Sequence, residues 1–410
     1  MPESIHTIIV GGGQAGLSAS YYLKQLGHEH LILDRAAQSA DAWRNQRWDS
    51  FTLVTPNISF RMPGAEYDGP DPHGYMPRNE VVGRFEDYIH NFDLPISYGI
   101  SVQSIQPEDG TDIYLVKTPD RVYRARNVVV ANGWFHDSKT PDFAAKIPPT
   151  IFQINSSSYR NPKAFPPGAV LVVGAAQSGA QIAEELYQSG RKVYLATGGA
   201  PRAPRRYRGK DIFEWLSDSG FFDRPIETFT DMPGRIWVAP QLTGRGGGHN
   251  LNLNKFYRDG VTLLGHALDF VDGRLVLSSD LKENLARSDR GEKFILKNVD
   301  EYIRKAGLSA PEEQLPLLDD ALRAPEITSL DLHAAGIVAI IWACGFHYDS
   351  SMLHMPVLDE YGYPITHRGV SPYPGLYFVG IPFLSKLKSG FIFGVAEDAA
   401  YIAQHICDRH

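Results

Sequence analysis

Residues 7–34, TIIVGGGQAGLSASYYLKQLGHEHLILD, restrict the fold of this chain more than any other stretch. An apolar run, Ile8, Ile9 and Val10, enters a turn whose glycines Gly11, Gly13 and Gly16 stand in G-x-G-x-x-G spacing. A helix-compatible segment that opens with Gln14 and Ala15 follows and stops at Gly27. One glycine makes the tight turn, one lets the backbone approach a pyrophosphate, and one lets helix and strand pack closely. The free N–H groups and the dipole at the helix N-terminus then favour the anion. Leu31, Ile32 and Leu33 lead to Asp34 and Arg35, and an acid at that distance from the turn accepts hydrogen bonds from a ribose. Ala15, Ala19 and Leu23 supply the face that packs on the sheet. Strand, helix, strand and acid in register describe one βαβ unit for a dinucleotide.

The unit is repeated. After the proline-rich punctuation at residues 148–168, Ala169, Val170, Leu171, Val172 and Val173 lead into Gly174, Ala175, Ala176, Gln177, Ser178 and Gly179, with Ala176 in place of the middle glycine. The next strand ends at Thr197, where the first unit has its acid, and Arg202, Arg205, Arg206, Arg208 and Lys210 follow. A missing carboxylate with arginines nearby suits a 2′-phosphate, which guanidinium forks bind and a carboxylate repels. A solvated basic loop is the alternative.

Between and beyond the repeats the pattern predicts a helix over residues 78–92, a strand over 100–105 that includes Val102, and a strand pair over 112–122. It also predicts buried strands over 126–133, 336–345 and 376–380, and an amphipathic helix over 394–407. Ala131 and Gly133 permit close approach to a cofactor. Residues 42–57, AWRNQRWDSFTLVTPN, form an aromatic loop in which Trp43 and Trp48 either wall a planar ring or fill core. Residues 220–331 read as loop-rich. The expected class is therefore α/β with two dinucleotide-binding units, the second inserted into the first: residues 1–155, 156–335 and 336–410.

At 410 residues the chain is too long for one ordinary core, and its net charge of −7 suggests no nucleic-acid partner. No apolar stretch approaches the ~18 residues of a membrane span, and no signal peptide precedes the first strand, so a cytoplasmic protein is expected. Cys344 and Cys407 make no C-x-x-C pair, the histidines lack ligand spacing for a metal, and Ser178 lacks the glycines of a nucleophile elbow.

With these residues in view the chain resembles the flavin-containing monooxygenase family, in its bacterial branch. The resemblance runs over nearly the whole length: the first fingerprint, WRNQRWDSFTLVTPN, VVVANG, GAAQSG, the strand end at Trp342 to Phe346, GLYFVG and SGFIFGVAEDAAYIA. It implies FAD on the first unit, with Gly11, Gly13, Gln14, Ala15, Gly16, Asp34, Arg35, Trp43, Trp48, Val102, Ala131 and Gly133 around it. It implies NADPH on the second, with Gly174, Gln177, Ser178, Gly179, Thr197, Arg202 and Arg205. It further implies oxygen transfer to a nitrogen or sulfur of a small substrate through a C4a-peroxyflavin, using molecular oxygen, with Asn57 as the active-site asparagine. The family's linker motif has a histidine where this chain has Asn155, which stands as a second catalytic candidate. The complete Baeyer–Villiger signature is absent. Ketone oxygenation, uncoupled NADPH oxidation, and a non-enzymatic flavin-binding electron carrier or regulator remain as alternatives; a homodimer is left open.

Overall fold

A computed structural model describes residues 3–228 and 239–409. The strand Glu3–Val10 becomes fully buried over its last four residues, as a run of Ile and Val between two neighbours must. It lies parallel to His30–Leu33 on one side and to Val122–Val130 on the other. Ile96–Ser97 extends the sheet beyond His30–Leu33, and the antiparallel pair Tyr114–Lys117 and Ser104–Pro107 extends it past Val122–Val130. Leu376–Phe378 shares that same edge, pairing in parallel with Val128, Val129 and Val130. The helix Gln14–Gln25 covers one face beside the helix Val395–Asp408, and Ala15, Ala19 and Leu23 share one core with Ala399, Ile402, Ala403 and Ile406.

The second sheet is parallel throughout, in the order Phe152–Asn155, Ile337–Trp342, Ala169–Val173, Val193–Ala196, Thr262–Leu264. The two-unit α/β architecture thus matches expectation, but the boundaries at 155 and 336 are corrected. Phe152–Asn155 and Ile337–Trp342 both belong to the second sheet. The chain crosses between units where Asp137–Ser138 pairs antiparallel with Phe346–His347. An apolar strand buried on both faces looks alike in either sheet, so the composition of residues 336–345 carries no sign of its neighbours. The predicted strand at 100–105 is also shifted, since the ladder begins only at Ser104 and Val102 packs as a partly buried loop residue.

The loop-rich reading of residues 220–331 fails over Leu281–Ala306, a helix of 26 residues; residues 229–238 lie outside the described ones. Its buried stripe runs Leu281, Leu285, Ser288, Ile295, Val299, Ile303. Ser288, and Glu292 one turn on, interrupt the stripe with polar groups, because this face docks on the backbone of residues 197–202 as well as on core. Ser288 Oγ donates to the Ala200 carbonyl, and Asn284 Nδ2 donates to the Thr197 carbonyl at 3.3 Å.

The two units are braced by the aromatic loop. Ser50 Oγ donates to Glu185 Oε1 at 2.8 Å, the Tyr159 hydroxyl donates to Glu185 Oε2 at 2.9 Å, and the Asp49 N–H donates to the Arg160 carbonyl at 2.9 Å. Trp48 is the wedge between them. It is 4% exposed, lies edge-on to Phe51 at 5.1 Å, and sits in one core with Tyr159, Phe165 and Val170 of the second unit. Of the two roles open to Trp48, the core role is the one its surroundings describe. Trp48→Ala should therefore cost about 3–5 kcal/mol, as truncation of a buried aromatic does. Urea denaturation of the apoprotein checks it, and an unchanged midpoint would refute the wedge.

Candidate functional site

The first glycine turn is shaped by backbone packing. Gly11 has φ +109°, and a Cβ there would stand 2.6 Å from the Ala131 carbonyl oxygen. A Cβ on Gly16 would overlap the Gly11 carbonyl, whereas Gly13 faces open space. Gly13 precedes the helix, and no side chain caps that end, so its N–H groups face the same space. Gly12, which the spacing argument passed over, is also closely packed, against side chains. A Cβ on it would lie 2.6 Å from Ile96 Cδ1 and 2.7 Å from Asp34 Oδ2. Asp34 accepts the Gly12 N–H at 2.5 Å and the Ala36 N–H at 2.7 Å. It thereby ties strand end to glycine turn, and its carboxylate keeps lone pairs for a ribose hydroxyl. Gln14 turns away from the open side and donates Nε2 to the Gly390 carbonyl at 2.7 Å, joining the turn to the segment before the last helix. Ala15 is buried against Gly380.

Around this cradle Trp43 is half-buried beside Phe51 and Phe85, with the Arg47 guanidinium 5.4 Å from its ring centroid. Arg47 makes no ion pair among the described residues, and desolvation pulls its pKa down to about 10. Arg35 is exposed. Burial lowers the pKa of His136, and the charges of Arg35 and Arg47 lower it further. Gly133, at φ +72°, leaves room for that imidazole, whose Nε2 would be 3.1 Å from a Cβ there. Asn132 Oδ1, His136 Nδ1 and the Tyr348 hydroxyl are buried without protein partners. Sequence spacing gave no sign of these three; only the fold brings them to the end of Val122–Val130 beside the turn.

The second turn repeats the geometry. Gly174 has φ +101° and backs on the Ala343 carbonyl, and a Cβ on Gly179 would overlap the Gly174 carbonyl. Ala176 precedes the helix Gln177–Gln188 at φ −73°, ψ −163°, close to the −79° and −174° of Gly13. Any residue adopts that conformation, so alanine there does not strain the backbone. Gln177 binds both the N–H and the carbonyl of Leu242, while Ser178 is partly exposed at the helix start. Gln241, fully buried and missed from the sequence, donates Nε2 to the Ala175 carbonyl and its N–H to the Pro201 carbonyl at 2.9 Å. It links the turn to the loop that follows Val193–Ala196.

Three expected contacts in this unit are corrected. Thr197 is 1% exposed and its hydroxyl donates to the Leu264 carbonyl at 2.8 Å, so it caps the sheet end instead of facing a ligand. Arg202 is enclosed and pairs with Asp289 and, at 2.8 Å, with Glu292. Arg205 is buried, pairs with Asp211 at 2.6 Å, and donates to the Val54 carbonyl at 2.7 Å. A buried guanidinium held by carboxylates cannot turn to a phosphate without leaving those acids unpaired.

Asn57 is 4% exposed in the short turn Asn57–Ser59, and its Nδ2 donates to the Asp71 carbonyl at 2.8 Å. That bond orients the amide and leaves Oδ1 buried without a partner. Asn155, at the end of its strand opposite Trp342, accepts from the Thr140 hydroxyl at 3.0 Å and so anchors the linker between units. The last helix starts at Val395, as the pattern over 394–407 predicts, with Glu397 and Asp398 in its first turn. Asp398 is buried, which raises its pKa. Cys344 lies exposed just past Ile337–Trp342, its Sγ 3.7 Å from the Val173 carbonyl. Among the described residues no three His, Cys, Asp or Glu side chains converge as a metal site, and no helix is long and apolar enough to cross a membrane.

Residues 8–217 match the family described as pyridine nucleotide-disulphide oxidoreductase. The chain is 31% identical to an uncharacterized CzcO-like oxidoreductase of Geobacillus kaustophilus over the full length of both. Its fold is similar to that of a flavin-containing monooxygenase from Stenotrophomonas maltophilia, at 20% identity and TM-score 0.65 over 99% of each chain. It is similar as well to an ornithine N-hydroxylase of Kutzneria sp. 744 solved with reduced FAD, NADP+ and L-ornithine, at 16% identity and TM-score 0.64 over 99% of each.

The glycine geometry separates two substitutions in the first turn. Gly13→Ala meets no protein atom and should leave apoprotein melting unchanged while weakening retention of a bound dinucleotide. Gly16→Ala should lower the melting midpoint of the apoprotein itself, by the ~1–3 kcal/mol typical of overpacking. Calorimetry of both apoproteins, with cofactor retention after gel filtration, checks the pair; equal midpoints would refute the packing account.

Proposed function

Because the chain belongs to the pyridine nucleotide-disulphide oxidoreductase family, we propose that it is an FAD- and NADPH-dependent monooxygenase acting on a nitrogen or sulfur nucleophile of a small organic molecule. The observation that carries this reading is the pair of glycine cradles, each at the C-terminal end of a parallel strand in its own sheet and each with an uncapped helix start. Two cradles in one chain suit a hydride donor and a hydride acceptor held in fixed relation. The first keeps a ribose-binding acid in Asp34, as FAD requires, and the second does not. A flavin held by Gly11, Gly13, Gly16 and Asp34 would supply a hydride acceptor for the nicotinamide and an electron donor to molecular oxygen.

Thiol chemistry, the other activity in the family's description, is poorly served. Cys344 stands exposed just past Ile337–Trp342, Cys407 sits on the last helix within 3.7 Å of His28 Nδ1, and both are free thiols. Disulfide exchange needs a thiolate and a second sulfur within reach. A non-enzymatic flavin carrier would leave the second cradle idle.

For oxygen transfer some neutral hydrogen-bonding group must stand by the reacting ring and water must be excluded. Asn57 is our assignment, since its amide is buried, oriented by Asp71, and has an unpartnered oxygen and one amide hydrogen to spare. An amide holds that role at every pH without titrating. Asn155, bonded to Thr140, is assigned to positioning the linker.

The purified protein should be yellow and should consume NADPH in air, with oxygenated product from one of a panel of amines, thioethers and ketones. NADPH consumption that yields only peroxide across the panel would indicate an oxidase. With a coupled substrate in hand, Asn57→Ala should keep the flavin and its reduction by NADPH while most of the product is replaced by hydrogen peroxide. Stopped-flow reduction and a peroxide assay check it, and full coupling in the variant would make Asn57 structural.

A further inference from the structure

We infer that Arg287, on the helix Leu281–Ala306, selects a 2′-phosphorylated adenine dinucleotide, the role that the arginines of residues 202–208 were expected to fill. The inference rests on the reading of the second cradle as the nicotinamide site. In a sheet of this order the adenosine half of a dinucleotide lies toward the strand after the glycine turn, here Val193–Ala196. The backbone leaving that strand is Thr197, Gly198 and Gly199, and the long helix is laid along it by a ladder of contacts. Asn284 binds Thr197, Arg287 covers Gly199, Ser288 binds Ala200, and Glu292 pairs with Arg202. Asn284 and Arg287 are three residues apart and so share one helix face.

Glycine at residues 198 and 199 is what admits the basic groups. A Cβ on Gly199 would stand 2.6 Å from Arg287 Cδ and 2.9 Å from Nη1, and one on Gly198 would stand 3.2 Å from His266 Nε2. His266 is held by Asp280 through Nδ1, which leaves Nε2 toward Gly198. Among the described residues no group accepts the N–H of Gly198 or of Gly199. Free N–H groups beside a guanidinium make a small anion-binding concavity.

Availability distinguishes Arg287 from Arg202 and Arg205. Its one acid neighbour is Glu283, at 3.7 Å with both side chains more than half exposed, and Glu283 makes its shorter contact, 2.6 Å, with Arg290. An exposed pair of that kind contributes little and is easily exchanged for a phosphate. Arg202 and Arg205, by contrast, are enclosed with their carboxylates. A planar fork that remains free can take two phosphate oxygens at once.

The test is calorimetric titration of the purified flavoprotein with adenosine 2′,5′-bisphosphate and with adenosine 5′-monophosphate. The native protein should prefer the bisphosphate. Arg287→Gln should weaken bisphosphate binding by about tenfold or more, the loss expected for a charge-assisted contact, and leave the monophosphate unchanged. Arg304→Gln, an exposed change in the last turn of the same helix and clear of Glu283, should alter neither. An unchanged preference in Arg287→Gln, with the native preference present, overturns the assignment and leaves the NADPH reading standing. No preference in the native protein overturns that reading and the assignment together.

Discussion

Everything else in this molecule is arranged around one close approach, the helix backbone at Gly16 lying on the Gly11 carbonyl and, in the second unit, Gly179 lying on the Gly174 carbonyl. Because neither helix can come this near its strand with a side chain in the way, the pair sets where each helix N-terminus points. The uncapped N–H groups, the acid at Asp34 and the partners of Gln14 and Gln177 all follow from that placement. The two turns even share an auxiliary device. A glutamine at the first helical position binds backbone far along the chain, at Gly390 in one unit and Leu242 in the other.

The units differ where their ligands should differ. In the first, a carboxylate closes the strand end and buried polar atoms of Asn132, His136 and Tyr348 wait without partners beside it. In the second, Thr197 closes the strand end, and the glycines after it are covered by a helix that brings an arginine and docks through Asn284 and Ser288. Between them, the hydrogen bonds from Ser50 to Glu185 and from Arg205 to the Val54 carbonyl, backed by the buried Arg205–Asp211 pair, hold the aromatic loop to the second unit.

Local features were legible in the sequence: the two fingerprints, Asp34, and the helix at Arg78–Asn91 depend on residues close together in the chain, where spacing carries the geometry. What failed depends on distant partners. Arg202 and Arg205 read as free cations because Asp289 and Glu292, which neutralise Arg202, lie almost ninety residues on, and Pro201 and Pro204 hide the path of the loop. The 26-residue helix was missed because Ser288 and Glu292 occupy its inward stripe, serving backbone and arginine instead of core. Trp48 was ambiguous because its nearest packing partners include Tyr159 from the other unit.

The second sheet has a further consequence for the order in which the molecule is made. Its central strand, Ala169–Val173, is flanked on one side by Ile337–Trp342, which is synthesised only after the rest of the inserted unit. On the ribosome the first cradle can form on its N-terminal strands early, while the second waits with an open edge and with Trp48 already on hand to fill its core. A chain stopped short of Trp342 would expose an apolar strand edge, the kind of surface that pairs with other chains. Late closure of this kind makes the second unit the step at which aggregation competes with folding, and it denies that unit an independent life as a detachable module.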